Sequence, residues 1–179
     1  MRTLRYSVFD IAKHEAGHWI SWKIQGGKVG CIEIIKPLGA DPKGAATIEL
    51  DWNITGLDDV ISFTRARIIT LWAGVYAQTF NGKNFDEEVM EKEFKPGGGG
   101  RLDCLKAQEY TLMLHNLIGR KRTLDDVHNE MDQATANIVA ENYHLIMKLA
   151  MQISMTVVQE GRLYSFDESD VLSILNRSG

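Results

Sequence analysis

Residues 13–21 read KHEAGHWIS, with two histidines four positions apart and a glutamate directly after the first. The surrounding stretch, residues 6–25, carries apolar side chains at helical spacing and ends at two glycines, which predicts a helix. At about 100° per residue, His14 and His18 then lie about 40° apart on one face, and Glu15 lies about 60° from His18. All three side chains can face one point.

These three side chains suit a hydrolytic zinc site. Two neutral imidazoles are good Zn²⁺ ligands, bound zinc lowers the pKa of its water to about 7, and a nearby unligated carboxylate can take the proton. The alternative is an ordinary helix whose histidines only cap or pack. With five histidines in the chain, a chance match has odds on the order of one in a hundred, which favours zinc. Gly17 inside the helix costs about 1 kcal/mol relative to alanine and indicates a close approach of substrate or backbone.

A catalytic zinc site needs a third protein ligand and one open position. Ser21 and Ile24 stand where a metzincin would have glycine and histidine, which excludes that class. The third ligand therefore comes from farther along the chain. Spacing alone does not choose among the candidates, which are Asp86, Glu87, Glu88, Asp103, Cys104 and His115.

Periodicity and turn residues predict the remaining elements. We expect a hairpin over residues 28–38 and 44–52, helices over 55–81, 103–119 and 124–161, a short last helix over 167–175, a solvated acidic helix face at 86–93 and a mobile glycine loop at 96–100. The predicted fold class is mainly α with a small β-hairpin or sheet, an α+β protein.

Composition excludes several classes of protein. A net charge of −4 with 20 basic residues that form no long run argues against nucleic acid as a partner. No stretch approaches the apolar length of a membrane span, so we expect no membrane insertion. Cys31 and Cys104 form neither a disulfide framework nor a Cys-x-x-Cys pair, and a reducing cytoplasm is the expected location.

Four motifs in order resemble the peptidase domain of the FtsH-type ATP-dependent zinc proteases, over nearly the whole chain. They are HEAGH at 14–18, the strand pair CIEIIKPL and GAATIEL, the pattern of Ala73, Gly74 and Ala77 in LWAGVYAQTFNG, and the loop and helix start GGGGRLDCLKA. The resemblance implies a single zincin-like domain over 1–179, with a metal-site half (1–119) and a C-terminal helical part (120–179).

The resemblance also implies the roles of particular residues. The third zinc ligand of the family falls on Asp103, beside His14 and His18, with Glu15 as general base. An extended peptide would pair with the edge strand; the residues expected to bind it are Ala45, Ala46, Thr47 and Ile48. Asp103 has a second interpretation, because aspartate after a glycine loop often caps a helix.

The sequence departs from the family where the ligands are oriented. The paired glutamates of the family are Gln78 and Thr79 here, and the Asn before the ligand aspartate is Leu102. These changes affect side chains behind the ligands and leave the ligands in place. The tryptophans Trp19, Trp22, Trp52 and Trp72 are expected to fill the core, and the alternative for Trp22, which lies near the histidine face, is that it lines the cleft.

The predicted function is that of a zinc metalloendopeptidase acting on unfolded or flexible protein segments. We expect a stand-alone domain without the AAA+ ATPase or membrane spans of FtsH, working with a separate ATPase or as a homo-oligomer. The alternative is a non-catalytic adaptor that keeps the fold and binds extended peptides without cutting them.

Overall fold

The computed structural model describes residues 6–177, which form a mainly helical α+β fold with a small antiparallel sheet. The coarse fold class predicted from the sequence is confirmed. In chain order the elements are α1 (Val8–Ile24), β1 (Val29–Ile35), β2 (Lys43–Ile48), α2 (Leu57–Thr79), α3 (Glu87–Phe94), α4 (Arg101–Leu117), α5 (Leu124–Glu141), α6 (Tyr143–Thr156), β3 (Leu163–Phe166) and α7 (Glu168–Asn176).

Helix α1 lies at the centre of the fold, and its middle turns are buried on all sides. It begins with a capping box in which Ser7 and Asp10 bond each other's backbone N–H. Gly17 lies where α1 packs most closely on α2, because an added Cβ would stand 2.5 Å from the Ala73 carbonyl oxygen and 2.7 Å from the Ala77 Cβ. Packed backbone is therefore the reason for this glycine.

The sheet has the strand order β2-β1-β3, and both pairings are antiparallel. The predicted hairpin matches β1 and β2, which pair with Ile32 opposite Ala46. The sequence did not predict β3, which pairs Ile32 with Phe166 on the other side of β1. The C-terminal segment is thus not purely helical. As a result β2 is an edge strand, and one side of it pairs with no other strand among residues 6–177.

The predicted helix over 124–161 is two helices in the structure. The chain bends at Asn142, which separates α5 from α6 and whose side-chain amide donates to the Ile138 carbonyl at 2.8 Å. The second helix ends at Thr156, earlier than predicted. Within the part of the chain that the structure describes, no helix combines the length and apolarity needed to cross a membrane.

Candidate metal centre

The structure brings His14, His18 and Asp103 together. Their donor atoms lie within 4.8 Å of one another. The Asp103 Oδ2 lies 3.6 Å from the His14 Nε2 and 3.4 Å from the His18 Nε2. Among residues 6–177 this is the one group of three such side chains that could hold a metal ion.

Asp103 reaches the histidines from the first turn of α4. The helix begins at Arg101, two residues earlier than predicted, with Gly100 at the N-cap position and no side-chain cap. The interpretation of Asp103 as the N-cap is therefore wrong. Its carboxylate turns instead toward α1.

The other candidate ligands lie elsewhere and have different contacts. Asp86 caps α3 by accepting from the Val89 N–H at 3.0 Å, and Glu88 pairs with Lys92. Cys104 is buried, which raises the pKa of its thiol. His115 contacts the Arg122 carbonyl through its Nε2 at 2.9 Å.

Hydrogen bonds to the far side of each ring fix both histidines with Nε2 toward Asp103. The His18 Nδ1 lies 2.7 Å from the Thr70 carbonyl, which can only accept, so the proton of a neutral ring is on Nδ1. The His14 Nδ1 lies 3.1 Å from the Gln78 Oε1. When the rings are neutral, both Nε2 lone pairs face Asp103 and can bind a metal.

A fully buried carboxylate, that of Glu93, supports Gln78. The Gln78 Nε2 donates to its Oε1 at 3.3 Å, and the Tyr6 hydroxyl and the Gly99 N–H donate to its Oε2 at 2.9 and 2.8 Å. Burial, followed by the bond to Glu93, raises the pKa of Tyr6 to about 12. The prediction that residues 86–93 form a solvated face is therefore wrong at Glu93. This chain of contacts orients His14 through Gln78.

The glycine loop packs tightly between α3 and α2. An added Cβ at Gly98 would lie 2.2 Å from the Glu93 carbonyl oxygen, and one at Gly100 would lie 2.1 Å from the Val75 Cγ2. Glycine is needed at both positions because the backbone approaches so closely. This packing sets where α4 begins and hence where Asp103 lies.

Gly74 on α2 leaves the room in which the two imidazoles meet. An added Cβ there would stand 2.5 Å from the His18 Nε2 and 2.6 Å from the His14 Nε2. The two rings pack edge to face, with centroids 4.7 Å apart. In the sequence Gly74 is only part of the pattern that resembles the FtsH-type proteases, whereas in the structure it has a steric role.

The electrostatics of the centre favour a carboxylate beside two imidazoles. Burial alone would raise the pKa of Asp103, but hydrogen bonds and charge from His14 and His18 outweigh it and hold that pKa well below its usual range. Burial would lower the pKa of His18, but Asp103 outweighs it and the pKa is raised. Asp103 thus carries a negative charge that positive charge at the imidazoles stabilises, and a metal cation bound between neutral imidazoles would interact with it in the same way.

Two hollows flank the three side chains, and β2 borders both. The Glu15 hollow is lined by Tyr6, Ile11, His14, Glu15, residues 40–44, Gln78, Gly99 and Leu102. The Arg67 hollow is lined by His18, Ala46, Ile48, Arg67, Thr70, Leu71, Asp103 and Lys106. The edge strand therefore passes the metal centre from one hollow to the other.

Glu15 lies beneath the start of β2. An added Cβ at Gly44 would stand 2.9 Å from the Glu15 Oε1. Its side chain is buried, lines the Glu15 hollow and has no hydrogen-bond or ion-pair partner within residues 6–177. Its carboxylate is therefore available to a ligand in that hollow.

The predicted peptide-binding residues divide between the two faces of β2. Ala46 and Ile48 are half-buried and line the Arg67 hollow, whereas Ala45 and Thr47 are exposed. Trp22 lies in the core, as expected, and the alternative that it lines the cleft is wrong. It is fully buried, packs on Trp52 with ring centroids 5.3 Å apart, and donates from Nε1 to the Glu49 carbonyl.

Sequence reasoning missed two residues of the site. Glu93 was taken for one of several solvated acids, and its burial depends on contacts with distant parts of the chain. Arg67 was not singled out, although an arginine in the apolar run ARIITLWAGVYA is a sequence feature that could have identified it.

Comparison of the sequence with models of known protein families finds no match, and comparison with curated proteins finds none either.

Proposed function

We propose that this protein is a zinc metalloendopeptidase of the zincin-like type, similar to the FtsH peptidase domain, that cuts unfolded or flexible protein segments. The observation that supports this most directly is the convergence of two imidazole Nε2 atoms and one carboxylate oxygen beside the free carboxylate of Glu15. Metal ligands without an adjacent acid would support binding alone.

The donor set fits zinc. Tetrahedral bonds of about 2.0–2.1 Å place neighbouring ligand atoms about 3.3–3.4 Å apart. In the structure the Asp103 Oδ2 lies 3.4 and 3.6 Å from the two Nε2 atoms, near these values, and the three donor atoms all lie within 4.8 Å of one another. Imidazole nitrogens also select against Mg²⁺ and Ca²⁺, which prefer oxygen ligands. Two histidines and a carboxylate also suit Fe(II), and the neighbouring Glu15 is what favours hydrolytic zinc.

The side chains of this protein then have separate tasks in peptide hydrolysis. When bound, zinc supplies a Lewis acid that polarises a peptide carbonyl and acidifies water. Glu15 takes a proton from the attacking water as the new C–O bond forms. It then delivers this proton to the amide nitrogen as the C–N bond breaks, so that the two products are a carboxylic acid and an amine.

The edge strand provides a site for an extended substrate. Strand β2 has an unpaired side in the described part of the chain and borders both hollows. A peptide that pairs with β2 would pass its carbonyls near the metal and direct alternate side chains into the hollows. Because main-chain hydrogen bonds carry little sequence information, we expect weak sequence preference. Only an extended segment can pair with β2, so folded substrates would need a separate ATPase to unfold them.

Metal analysis of the purified protein, combined with cleavage of unfolded casein, tests the proposal. The wild type should contain one zinc and cut casein, and Glu15→Gln should keep the zinc and lose cleavage. Glu109→Gln, a matched change at an exposed residue of α4, should retain both. Zinc without cleavage in the wild type would favour the peptide-binding adaptor, iron would indicate a different chemistry, and no metal would end the proposal.

A further inference from the structure

Arg67 is a buried cation without a conventional partner. Only 7% of its surface is exposed, and its Nε and Nη1 have no hydrogen-bond partner in the part of the chain that the structure describes. It forms no ion pair with any residue from 6 to 177. Its guanidinium carbon lies 5.5 Å from the Trp22 ring and 5.7 Å from the Tyr110 ring.

These contacts leave the guanidinium incompletely satisfied. Arginine stays protonated in proteins, so burial cannot be relieved by loss of the charge. The two aromatic rings attract the cation, but they offer no oxygen to its N–H groups. Buried charges in proteins are normally paired. Because Arg67 lines the hollow beside the metal centre, a ligand there can supply the missing partner.

The position of Arg67 connects it to the metal site. It lies one helical turn before Thr70, whose carbonyl holds His18, and two turns before Gly74. Asp103 and the exposed Lys106 reach the same hollow from α4. With zinc bound, the positive charges of the metal, Arg67 and Lys106 would together exceed the negative charge of Asp103. The hollow would therefore attract an anion.

The size of the hollow limits the ligand. Its volume is about 170 Å³, below the roughly 300–1,000 Å³ of pockets that hold whole small molecules. It suits one side chain or one chain end. Ala46 and Ile48 of β2 form its remaining wall, so a peptide lying along β2 would carry that group into it.

We propose that Arg67 recognises a carboxylate of the bound peptide, which makes the preferred substrates segments with an aspartate, a glutamate or a free C-terminus at the position that enters this hollow. The inference rests on the proposed function and specifies its substrate class. A planar guanidinium can hold a carboxylate through two parallel N–H bonds once the long side chain turns toward the hollow, and lysine cannot reproduce this geometry.

Binding and cleavage are measured separately to test this. Zinc-loaded Glu15→Gln protein is titrated into labelled peptides of equal length, and fluorescence anisotropy gives Kd. One set moves a single glutamate along the chain against a glutamine control, and a second set compares a free C-terminal acid with its amide. The same peptides are then offered to the wild type for cleavage. Arg67→Gln and Arg67→Lys are compared with Arg65→Gln, which removes a neighbouring α2 arginine that pairs with Glu130 outside the hollow.

In at least one set the carboxylate should tighten binding by about 10- to 100-fold, as expected for a charge-assisted hydrogen bond, and the responding set identifies its source. Arg67→Gln should abolish this preference and leave binding of the amide peptides unchanged, Arg67→Lys should retain only part of it, and Arg65→Gln should retain it fully. Equal affinity for acid and amide peptides in both sets, or a preference that survives Arg67→Gln in folded protein, would overturn the inference. Carboxylate-selective binding without cleavage by the wild type would refute the hydrolase and leave the recognition by Arg67 standing.

Discussion

Replacement of Gly74 by alanine would test the metal centre without altering a ligand. The new Cβ would lie 2.5 Å from the His18 Nε2 and 2.6 Å from the His14 Nε2. Ordinary contacts are about 3.5 Å, so each ring must retreat by about 1 Å. Metal–ligand distances tolerate only about 0.2 Å. The displacement is about five times that tolerance, and we expect zinc affinity to fall by at least about 100-fold.

The same substitution should leave the protein folded. Alanine in a helix interior is favoured over glycine by about 1 kcal/mol, and overpacking costs about 1–3 kcal/mol. The free energy of unfolding of the metal-free protein should therefore fall by only about 0–2 kcal/mol.

Competition with a chromophoric chelator gives the zinc affinity, and urea unfolding gives the stability. Gly56→Ala is the matched control, because its added Cβ meets nothing within 4 Å. It should keep the zinc affinity of the wild type. A folded Gly74→Ala protein that also binds zinc as tightly as the wild type would show that the space at Gly74 is not needed for the metal ligands.

Three further predictions concern the surroundings of the ligands. Glu93→Gln should weaken zinc binding by about 10-fold and lower the free energy of unfolding by about 1–3 kcal/mol, because three hydrogen-bond donors lose their buried anionic acceptor. Chelator competition measures the zinc affinity and urea unfolding the stability, and an effect no larger than that of Glu109→Gln would contradict this prediction. Gly44→Ala should reduce casein cleavage and spare zinc affinity, since its Cβ would lie 2.7 Å from the Glu15 Cγ; equal losses of both would point to a general disturbance. In protein treated with a chelator, the His18–Asp103 pair should contribute most to the free energy of unfolding, measured in urea, between about pH 4 and 6.5. The pKa of His18 is raised in the folded protein, so its contribution is lost as the pH rises through that pKa. The pKa of Asp103 is lowered, so its contribution is lost as the pH falls through that pKa. Asp103→Asn should flatten this dependence, and an unchanged profile would argue against the pairing.

Local features of the sequence predicted the local features of the site. The spacing of His14 and His18 places them on one face of α1 in any helix, and both the helix and the hairpin have the expected positions. The third candidate ligand, Asp103, depends on a contact between helices α1 and α4, which are far apart in sequence. Spacing alone left six candidates open. Only the family resemblance favoured Asp103.

The features that the sequence did not predict depend on tertiary contacts or on very short elements. Strand β3 has four residues, too few for an alternating pattern, and pairing with β1 is what makes it a strand. The break at Asn142 interrupts a stretch whose apolar spacing suits a continuous helix. Arg67 and Glu93 are buried charges, and periodicity assigns charged residues to the surface.

The buried carboxylate of Glu93 connects the α1 side of the candidate metal centre, at His14, with the α4 side, at Asp103. Through Gln78 it orients His14 on α1, and through the Gly99 N–H it holds the glycine loop at a point four residues before Asp103. A glutamate at position 78 would stand close to that carboxylate, and two acids sharing one buried site repel each other. Glutamine at 78 avoids this repulsion, because its amide donates to the acid on one side and its oxygen accepts from the histidine on the other. Glutamine at position 78, where the FtsH-type pattern has a glutamate, is therefore compatible with a well-oriented His14, because the buried acid is supplied by Glu93 on α3.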